Sequence, residues 1–281
     1  MNNTTLHKII KNIDSLAPLS DTANLVHALY TSKNDDGNLR KLVRIIESDA
    51  LLTANILKMI NSAYYGFRNK INSITQAVML FGTHKIYALV IKYAMFENLK
   101  TNTTDVYGFT SAQFNDLCHL QHSFVIQWYS KISLRDAQFA SSLALIMETG
   151  KLVLANEVSK SSYVGEFRKM FNECENIEEF EKSIIGNTSY YLSALLFEHW
   201  NLDPKYVSIL KALDSDEECD FYKAKDFINI LKVTRIVINL KDILSDDAIR
   251  KASWIVREMN LSVVDFEQVA YRVRDKYLSR W

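Results

Sequence analysis

Three side chains in the middle of the chain have the spacing of a metal-binding helix face. Asp116, His119 and His122 follow one another at intervals of three residues, so a helix would place them on one side. Imidazole and carboxylate groups bind zinc and related metals, but a site on these three would need a further ligand from elsewhere. None of the six histidines has HExxH-type spacing, and structural histidines explain the pattern as well. We predict no bound metal and no cofactor.

The sequence lacks the motifs of nucleophilic catalysis and of phosphate binding. It contains neither the G-x-S-x-G turn of serine hydrolases nor a glycine-rich phosphate loop. Its three cysteines, Cys118, Cys174 and Cys219, are far apart, which fits neither a disulfide framework nor a zinc motif. This usage is typical of a reducing compartment, and we predict a cytoplasmic protein.

The charge balance argues against a nucleic-acid binder. Lys plus Arg number 33 and Asp plus Glu number 33, which gives a formal net charge of zero, whereas nucleic-acid-binding proteins usually carry a basic surface. The first residues are polar and lack the pattern of a signal peptide. The most apolar stretches, 87–96 and 236–240, are too short or too interrupted to span a bilayer. We predict neither nucleic-acid binding nor membrane insertion.

Helix signals run along the whole chain. Only seven Gly and two Pro interrupt its 281 residues, which favours long helices with short connections. Ser73 with Gln76 and Thr110 with Gln113 have the spacing of a capping box, and Gly82 is predicted to end the first helix that these pairs start. No stretch alternates apolar and polar residues as a strand does. We predict an all-α protein with five helices in its first hundred residues, a linker over 100–108 and a second helical part beyond it.

An aromatic segment, Asn61–Phe67, follows one of the predicted helices. Two tyrosines and a phenylalanine surround Gly66 there. The simpler interpretation is a glycine that ends the helix while the aromatic side chains pack into the core. The alternative is an aromatic patch at an interface, where Tyr and Phe are common contact residues.

Four segments of the first half have the order and spacing of a known family. They are Pro18–Ser20, Leu42–Leu57, Asn61–Gly66 and Ile71–Gly82. Together they closely resemble the HDOD domain, an HD-related output domain of bacterial signalling proteins. The resemblance continues more weakly through His122-Ser123, Gly150–Leu152 and Leu195–Leu202, and it covers roughly residues 8–210.

The resemblance implies an all-helical architecture in two parts. An N-terminal five-helix bundle over about 8–100 would pack on a degenerate HD-like bundle over about 110–210. The remaining residues, 211–281, would form a C-terminal helical extension outside the family's domain.

The resemblance also implies a lost metal site. HD phosphohydrolases hold divalent metals with an adjacent histidine and aspartate, and Met147 and Glu148 occupy the matching positions. A thioether is a poor ligand for such metals, and one glutamate does not replace two ligands. His122 matches the first histidine of the HD pattern, whereas Ser189 falls near a later histidine position. With Lys151, these residues would line a vestigial pocket in a protein without catalytic residues.

The function implied is that of a bacterial signal-transduction protein, a pseudoenzyme that works by contact with a protein partner. The candidate interaction surface consists of Asn61, Ser62, Tyr64, Tyr65 and Gly66.

Two alternatives stay open. The first is a sensor in which Lys151 pairs with a phosphate of a nucleotide or cyclic dinucleotide while His122 contacts the base. The second is a residual phosphohydrolase that uses Asp116, His119, His122 and Glu148.

Overall fold

Helices make up almost all the regular structure of this protein. The computed structural model describes residues 2–32, 38–62, 65, 67–99, 103–215 and 219–279. Within these ranges the only strand-like feature is an isolated antiparallel bridge between Ile238 and Ile243. The predicted all-α fold class is therefore confirmed.

The helices are α1 (Asn2–Asp14), α2 (Asp21–Thr31), α3 (Asn38–Glu47), α4 (Ala50–Ile60), α5 (Ile74–Asn98), α6 (Thr103–Tyr107), α7 (Ser111–Tyr129), α8 (Leu134–Ile146), α9 (Thr149–Ser159), α10 (Val164–Glu173), α11 (Ile177–Ile185), α12 (Ser189–His199), α13 (Pro204–Asp214), α14 (Ala224–Val237), α15 (Asp246–Glu258) and α16 (Val263–Leu278).

The N-terminal part is built from α2 to α5, which pack on one another. Side-chain caps fix where three of these helices begin: Ser20, Asp49 and Ser73 each accept a hydrogen bond from a backbone N–H of the first turn. The predicted break at Gly82 is present as a sharp kink, with φ of 79° and ψ of 164°, but the helix resumes directly after it. A positive φ is readily adopted only by glycine, so the kink depends on this residue.

The first helix does not belong to this N-terminal bundle, contrary to the predicted bundle that starts near residue 8. Helix α1 packs instead on α9, α11 and α12. Ile9 and Ile13 form its apolar face and are buried in this contact. Asn12 Nδ2 donates a hydrogen bond to Glu157 Oε2 over 2.6 Å. The amphipathic pattern of α1 requires a core to cover it, but it does not say which part of the chain supplies that core.

The connection after α1 is held against the same distant helices. His199 Nε2 donates to the carbonyl oxygen of Leu16 over 3.1 Å, and Trp200 Nε1 donates to that of Ala17 over 2.9 Å. We call this arrangement, α1 with residues 16–17 held by α9, α11, α12 and Trp200, the N-terminal clasp.

The linker predicted over 100–108 contains a short helix. Helix α6 packs on α9 and α10, and Thr103, Val106 and Tyr107 are buried. The threonine, aspartate and asparagine residues of this segment favoured the prediction of a solvated linker. Its two apolar side chains, Val106 and Tyr107, nevertheless reach the core. The two parts of the domain are therefore joined by a packed element.

The C-terminal helices share the hydrophobic core of the HD-like part. Helix α14 packs on α7, α8, α13 and α15, and α16 packs on α7 and α15. Phe266 of α16 meets the rings of Phe124 and Trp128 of α7, with centroids 6.0 and 5.3 Å away. The predicted division at residue 210 stays a prediction, and the contacts add that helices on both sides of it cover one core.

Helix α5 is, by length and composition alone, long and apolar enough to cross a membrane. Half of its apolar window is buried inside the protein, and the kink at Gly82 interrupts it. Buried core helices of water-soluble proteins meet the same criteria, so this helix is weak support for a membrane span.

Gly150 is required where α9 crosses α12. A Cβ atom at this position would lie 1.8 Å from the carbonyl oxygen of Ser189 and 2.7 Å from the backbone nitrogen of Ser193. We predict that Gly150→Ala lowers the free energy of unfolding by about 3 kcal/mol or more, because backbone has to move to admit one methyl group. Urea denaturation followed by circular dichroism measures this loss.

Gly165 in α10 provides the matched control, because a Cβ atom there meets nothing within 4 Å. Gly165→Ala should leave stability unchanged or raise it slightly, since alanine is the better helix former. Equal stability of the two variants would show that α9 and α12 do not approach as closely as described.

Candidate functional site

Three of the five residues predicted to line the vestigial pocket come together. Glu148, Lys151 and Ser189 form one buried cluster at the contact of α9 with α12. Met147 is fully buried in the apolar core, with its carbonyl oxygen accepting a hydrogen bond from Ser193. His122 is bonded elsewhere. The pocket expected from the sequence is therefore largely filled by its own side chains.

The ammonium group of Lys151 is the centre of this cluster. Lys151 Nζ lies 2.8 Å from Glu148 Oε2 and 3.4 Å from Glu181 Oε1, and it donates to the Ser189 hydroxyl over 2.8 Å. Its side chain is 3% exposed and those of the two glutamates are 1% and 0% exposed. A buried ion is tolerated only when it is paired and hydrogen-bonded, and here both conditions are met. We call Lys151, Glu148 and Glu181 the buried charge centre.

Neighbouring groups hold the two carboxylates in place. Glu148 Oε1 accepts hydrogen bonds from Gln121 Nε2 over 2.9 Å and from the Tyr190 hydroxyl over 3.2 Å. Gln121 Nε2 also donates to the carbonyl oxygen of Ile238 over 2.9 Å, which ties the centre to the end of α14. Glu181 Oε2 accepts from the backbone N–H of Ser189 over 2.7 Å at the start of α12. Five helices thus converge on these charges, α7, α9, α11, α12 and α14, and the last of them belongs to the C-terminal extension.

Opposing effects set the protonation of Lys151. Burial lowers its pKa, but the adjacent Glu148 and Glu181 carboxylates outweigh burial and hold the pKa of Lys151 well above its ordinary value. A lysine with a raised pKa keeps its contribution to stability at neutral pH and loses it only when the pH rises past that value. The lysine is therefore a fixed cation under ordinary conditions.

The two histidines of the predicted metal face are bonded to other groups. His122 Nδ1 donates to the carbonyl oxygen of Ser141 over 3.0 Å, and His119 Nδ1 lies 3.0 Å from the Tyr65 hydroxyl. Burial, reinforced by Lys85 and Lys92, lowers the pKa of both well below the ordinary value, so both imidazoles are neutral. In the part of the chain that the structure describes, no three His, Cys, Asp or Glu side chains are grouped so as to hold a metal ion.

A cleft of about 710 Å³ leads from the surface to the buried charge centre. Lys151 and Tyr190 lie at its inner end, and Arg235 lies on its wall with its guanidinium 5.2 Å from the centre of the Tyr190 ring. Arg235 is itself paired with Glu178 over 3.0 Å. The cleft thus carries both signs of charge, and two of its cations, Lys151 and Arg235, already have acidic partners.

The predicted interaction surface is only partly described, because Tyr64 and Gly66 lie outside the described residues. Asn61 has a structural role: its side-chain amide donates to the carbonyl oxygens of Leu57 and Ile71 and accepts from the Ile71 N–H over 2.8 Å. Tyr65 packs its ring 5.1 Å from that of Phe81, besides its contact with His119. Ser62 is half-buried.

The sequence did not reveal Glu181 of the buried charge centre, or Gln121 and Tyr190, which donate hydrogen bonds to Glu148. Glu181, Gln121 and Tyr190 carried no signal, because each comes from a different helix from Lys151 and their spacing along the chain is irregular. A usable signal was the odd composition of buried segments: Gln121 and Glu181 stand among apolar residues at positions that their helices bury. A polar residue in a buried stripe needs a partner.

The amino-acid sequence matches the profile of a known protein family. This profile, of the HDOD domain, covers residues 16–215. The chain belongs to the HDOD family. The family's domain thus takes in α2 to α13 and the whole buried charge centre, whereas Ile238, whose carbonyl accepts a hydrogen bond from Gln121, lies outside it. A comparison with curated proteins finds no match.

Solved structures of HDOD proteins and their relatives share the fold. An HDOD domain protein of unknown function from Geobacter sulfurreducens has a TM-score of 0.65 at 16% identity, over 99% of this chain and 95% of its own. A candidate phosphohydrolase from Shewanella amazonensis SB2B has a TM-score of 0.67 at 18% identity, over 95% and 93%. A candidate signal transduction protein from Marinobacter aquaeolei VT8 has a TM-score of 0.72 at 16% identity, over 99% and 63%. At these identities the likeness concerns the fold, and it includes the C-terminal helices.

Removal of the central cation should destabilise the protein far more than removal of one of its two anions. We predict that Lys151→Met costs about 3–5 kcal/mol of unfolding free energy, because it leaves two buried carboxylates without a counter-ion. Glu181→Gln should cost less, since it leaves Lys151 paired with Glu148 at the shorter distance of 2.8 Å. Guanidinium denaturation of both variants gives the comparison.

The double variant Lys151→Met/Glu181→Gln tests the coupling itself. It should be more stable than the sum of the two single losses implies, because one of the two uncompensated charges is gone. Strict additivity would mean that Lys151 and Glu181 do not interact through charge.

Proposed function

We propose that this HDOD protein is a non-catalytic regulatory protein of bacterial signal transduction, which works in the cytoplasm through contacts with a protein partner. The observation that supports the proposal most is the buried charge centre. Where the HD frame places the second half of its His-Asp pair, Glu148 is bound to a lysine of the same protein. Its Oε2 is ion-paired with Lys151, and its Oε1 accepts hydrogen bonds from Gln121 and Tyr190.

An ammonium group does not replace a metal ion in hydrolysis. A divalent metal lowers the pKa of bound water and draws charge from a phosphoryl group, and both effects need a vacant coordination position on the ion. Lys151 instead directs its charge to two carboxylates and a hydroxyl. A second cation at this place would meet the repulsion of the first, so a residual phosphohydrolase on Asp116, His119, His122 and Glu148 has no geometric support.

A group of exposed apolar side chains gives the protein a candidate contact surface beside the predicted one. Met79 and Leu80 of α5 are 74% and 54% exposed, and Phe67 is 40% exposed. Phe67 packs 5.9 Å from the Tyr65 ring and 5.7 Å from the Phe81 ring, which follows Leu80 directly. We propose that Phe67, Met79 and Leu80, named the α5 surface, extend the contact face of the aromatic segment.

A nucleotide or cyclic-dinucleotide sensor is the second candidate function. The cleft of about 710 Å³ beside Arg235 favours it, because its volume suits such a ligand. The pairing of Lys151 with Glu148 and Glu181, and of Arg235 with Glu178, weighs against it. Calorimetric titration with nucleotides and cyclic dinucleotides tests it, and flat traces at high micromolar concentration would remove it.

The metal content of the purified protein tests the loss of chemistry directly. We expect far less than one transition-metal ion per chain by plasma mass spectrometry when no chelator has been used. We also expect no phosphodiesterase or phosphatase activity after manganese or zinc is added, because Glu148 is already bound. Stoichiometric metal with metal-dependent hydrolysis would overturn the proposal.

Introduction of charged residues into the α5 surface should abolish partner binding without unfolding the protein. We predict that Met79→Glu/Leu80→Glu removes the partner captured by the wild-type chain, because burial of these apolar groups in the interface would become unfavourable. Quantitative mass spectrometry of captured proteins measures the loss, with circular dichroism to verify folding.

Leu134→Glu is the matched control for this experiment. Leu134 is 58% exposed at the start of α8, outside the α5 surface, so the substitution should leave the same partner bound. Equal capture of the partner by the α5 variant and by the control would exclude the α5 surface as the binding site.

A further inference from the structure

A small pocket lies where the aromatic segment, α5, α7 and the C-terminal helix α16 meet. Its volume is about 110 Å³, well below the roughly 300 Å³ at which pockets for drug-sized ligands begin. Its polar lining residues are Tyr65, Lys85, Ser123, Gln127, Lys276 and Tyr277, and its other two are the apolar Leu120 and Val273. The pocket therefore has room for one small polar group.

The lining of this pocket contains two lysines and no acidic residue. Among the other lysines inside the described part of the chain, Lys151 has two carboxylate partners, whereas the fully buried Lys92 has no ion pair. Lys85 has none: burial alone lowers its pKa, to about 7. A cation held in a pocket without a counter-ion is unfavourable unless an anion from solution joins it.

Aromatic rings fix the position of the Lys85 ammonium. Its Nζ lies 4.4 Å from the centre of the Tyr65 ring and 4.2 Å from that of Phe81. Contacts with ring faces hold a cation in place electrostatically but accept little of its hydrogen-bonding capacity. The N–H groups that point away from the rings are left for a ligand.

The remaining lining groups add further donors. Lys276 and Tyr277 reach the pocket from α16, and Ser123 and Gln127 reach it from α7, where Gln127 Nε2 donates to the Ser123 hydroxyl over 3.0 Å. This bond leaves the hydroxyl hydrogen of Ser123 available. Two ammonium groups with several hydroxyl and amide donors match an acceptor with several oxygens and more than one negative charge.

We propose that this pocket binds a doubly charged oxyanion of phosphate size, either free phosphate or the phosphoryl group of a small phosphate ester. The ligand would bridge Lys85 of the N-terminal part and Lys276 of the C-terminal helix. Binding would hold α16 against α7 and the aromatic segment, and so couple the C-terminal helices to the face that carries Tyr65. The site is separate from the buried charge centre and does not depend on the proposed protein contact.

Isothermal titration with sodium sulfate at constant ionic strength is the first test. We expect saturable binding to the wild-type chain, at least about tenfold weaker binding to Lys85→Met, and clearly weaker binding to Lys276→Met. Lys276 is exposed, so its replacement keeps the test valid even if Lys85→Met alters the fold. Lys169→Met, at an exposed position on α10, is the control and should bind as the wild type does.

Three further ligands define the chemistry of the bound anion. Acetate should bind at least tenfold more weakly than sulfate, because it has one charge and fewer acceptor oxygens. Inorganic phosphate and glycerol 2-phosphate then distinguish the two sources: equal binding assigns a phosphate ester, and binding of phosphate alone assigns the free ion. Acetate binding as tight as that of sulfate would overturn the proposal.

The pH dependence supplies an independent readout, because sulfate keeps its charge between pH 6 and pH 9. Affinity should be highest below about pH 7 and fall above it, as Lys85 loses its proton. Lys276 and Tyr277 face the ligand from α16, and Tyr65 faces it from the aromatic segment. Burial, reinforced by Lys85 itself, lowers the pKa of His119 and His122 on α7, so both histidines stay neutral in this range. Hydrogen exchange in α16 should also slow when sulfate is bound.

An equal response of all four proteins to sulfate would show a general salt effect on stability and would refute the site. Binding that does not change between pH 6 and pH 9 would do the same, because Lys85 would then have no part in it.

Discussion

The position of one ammonium group constrains much of this structure. Lys151 lies on α9, and its two carboxylate partners come from the residue before α9 and from α11, while its hydroxyl partner begins α12. Charges in a low-dielectric interior interact strongly with both correct and incorrect partners, so these elements have a single arrangement of low energy. Gly150, the residue before Lys151, allows α9 to approach the backbone of α12 closely enough for that arrangement.

In the function that we propose, the same centre explains how an HD-type frame persists without its reaction. Metal-dependent hydrolysis needs room for an ion with a vacant coordination position, whereas transmission of contacts does not. The ammonium group of Lys151 supplies the positive charge that Glu148 and Glu181 require. In that function, communication would pass over the surface and through α5 and α8, which pack on each other across the two parts.

The sequence predicted the fold class, an interruption of the helix at Gly82 and the closeness of Glu148 to Lys151, because each depends on local spacing or on a motif of the family. It did not predict Glu181 as the second partner of Lys151, because that contact is decided by how α11 packs on α9. It also placed His122 in the pocket, whereas the adjacent Gln121 is the residue that reaches it. Neighbouring residues on a helix point in directions about 100° apart, and the correct one depends on the helix's rotation in the bundle.

The N-terminal clasp has a consequence for how the protein is made. Trp200 holds Ala17 from 183 residues further along the chain, so the first helix leaves the ribosome long before the groove that receives it exists. At about 5–20 residues per second, the delay is roughly 10–40 s. Until α9, α11 and α12 have been made, the apolar face of α1, with Ile9 and Ile13, lacks its native partners. Helix α1 is therefore synthesised early but is among the last elements to reach its native position.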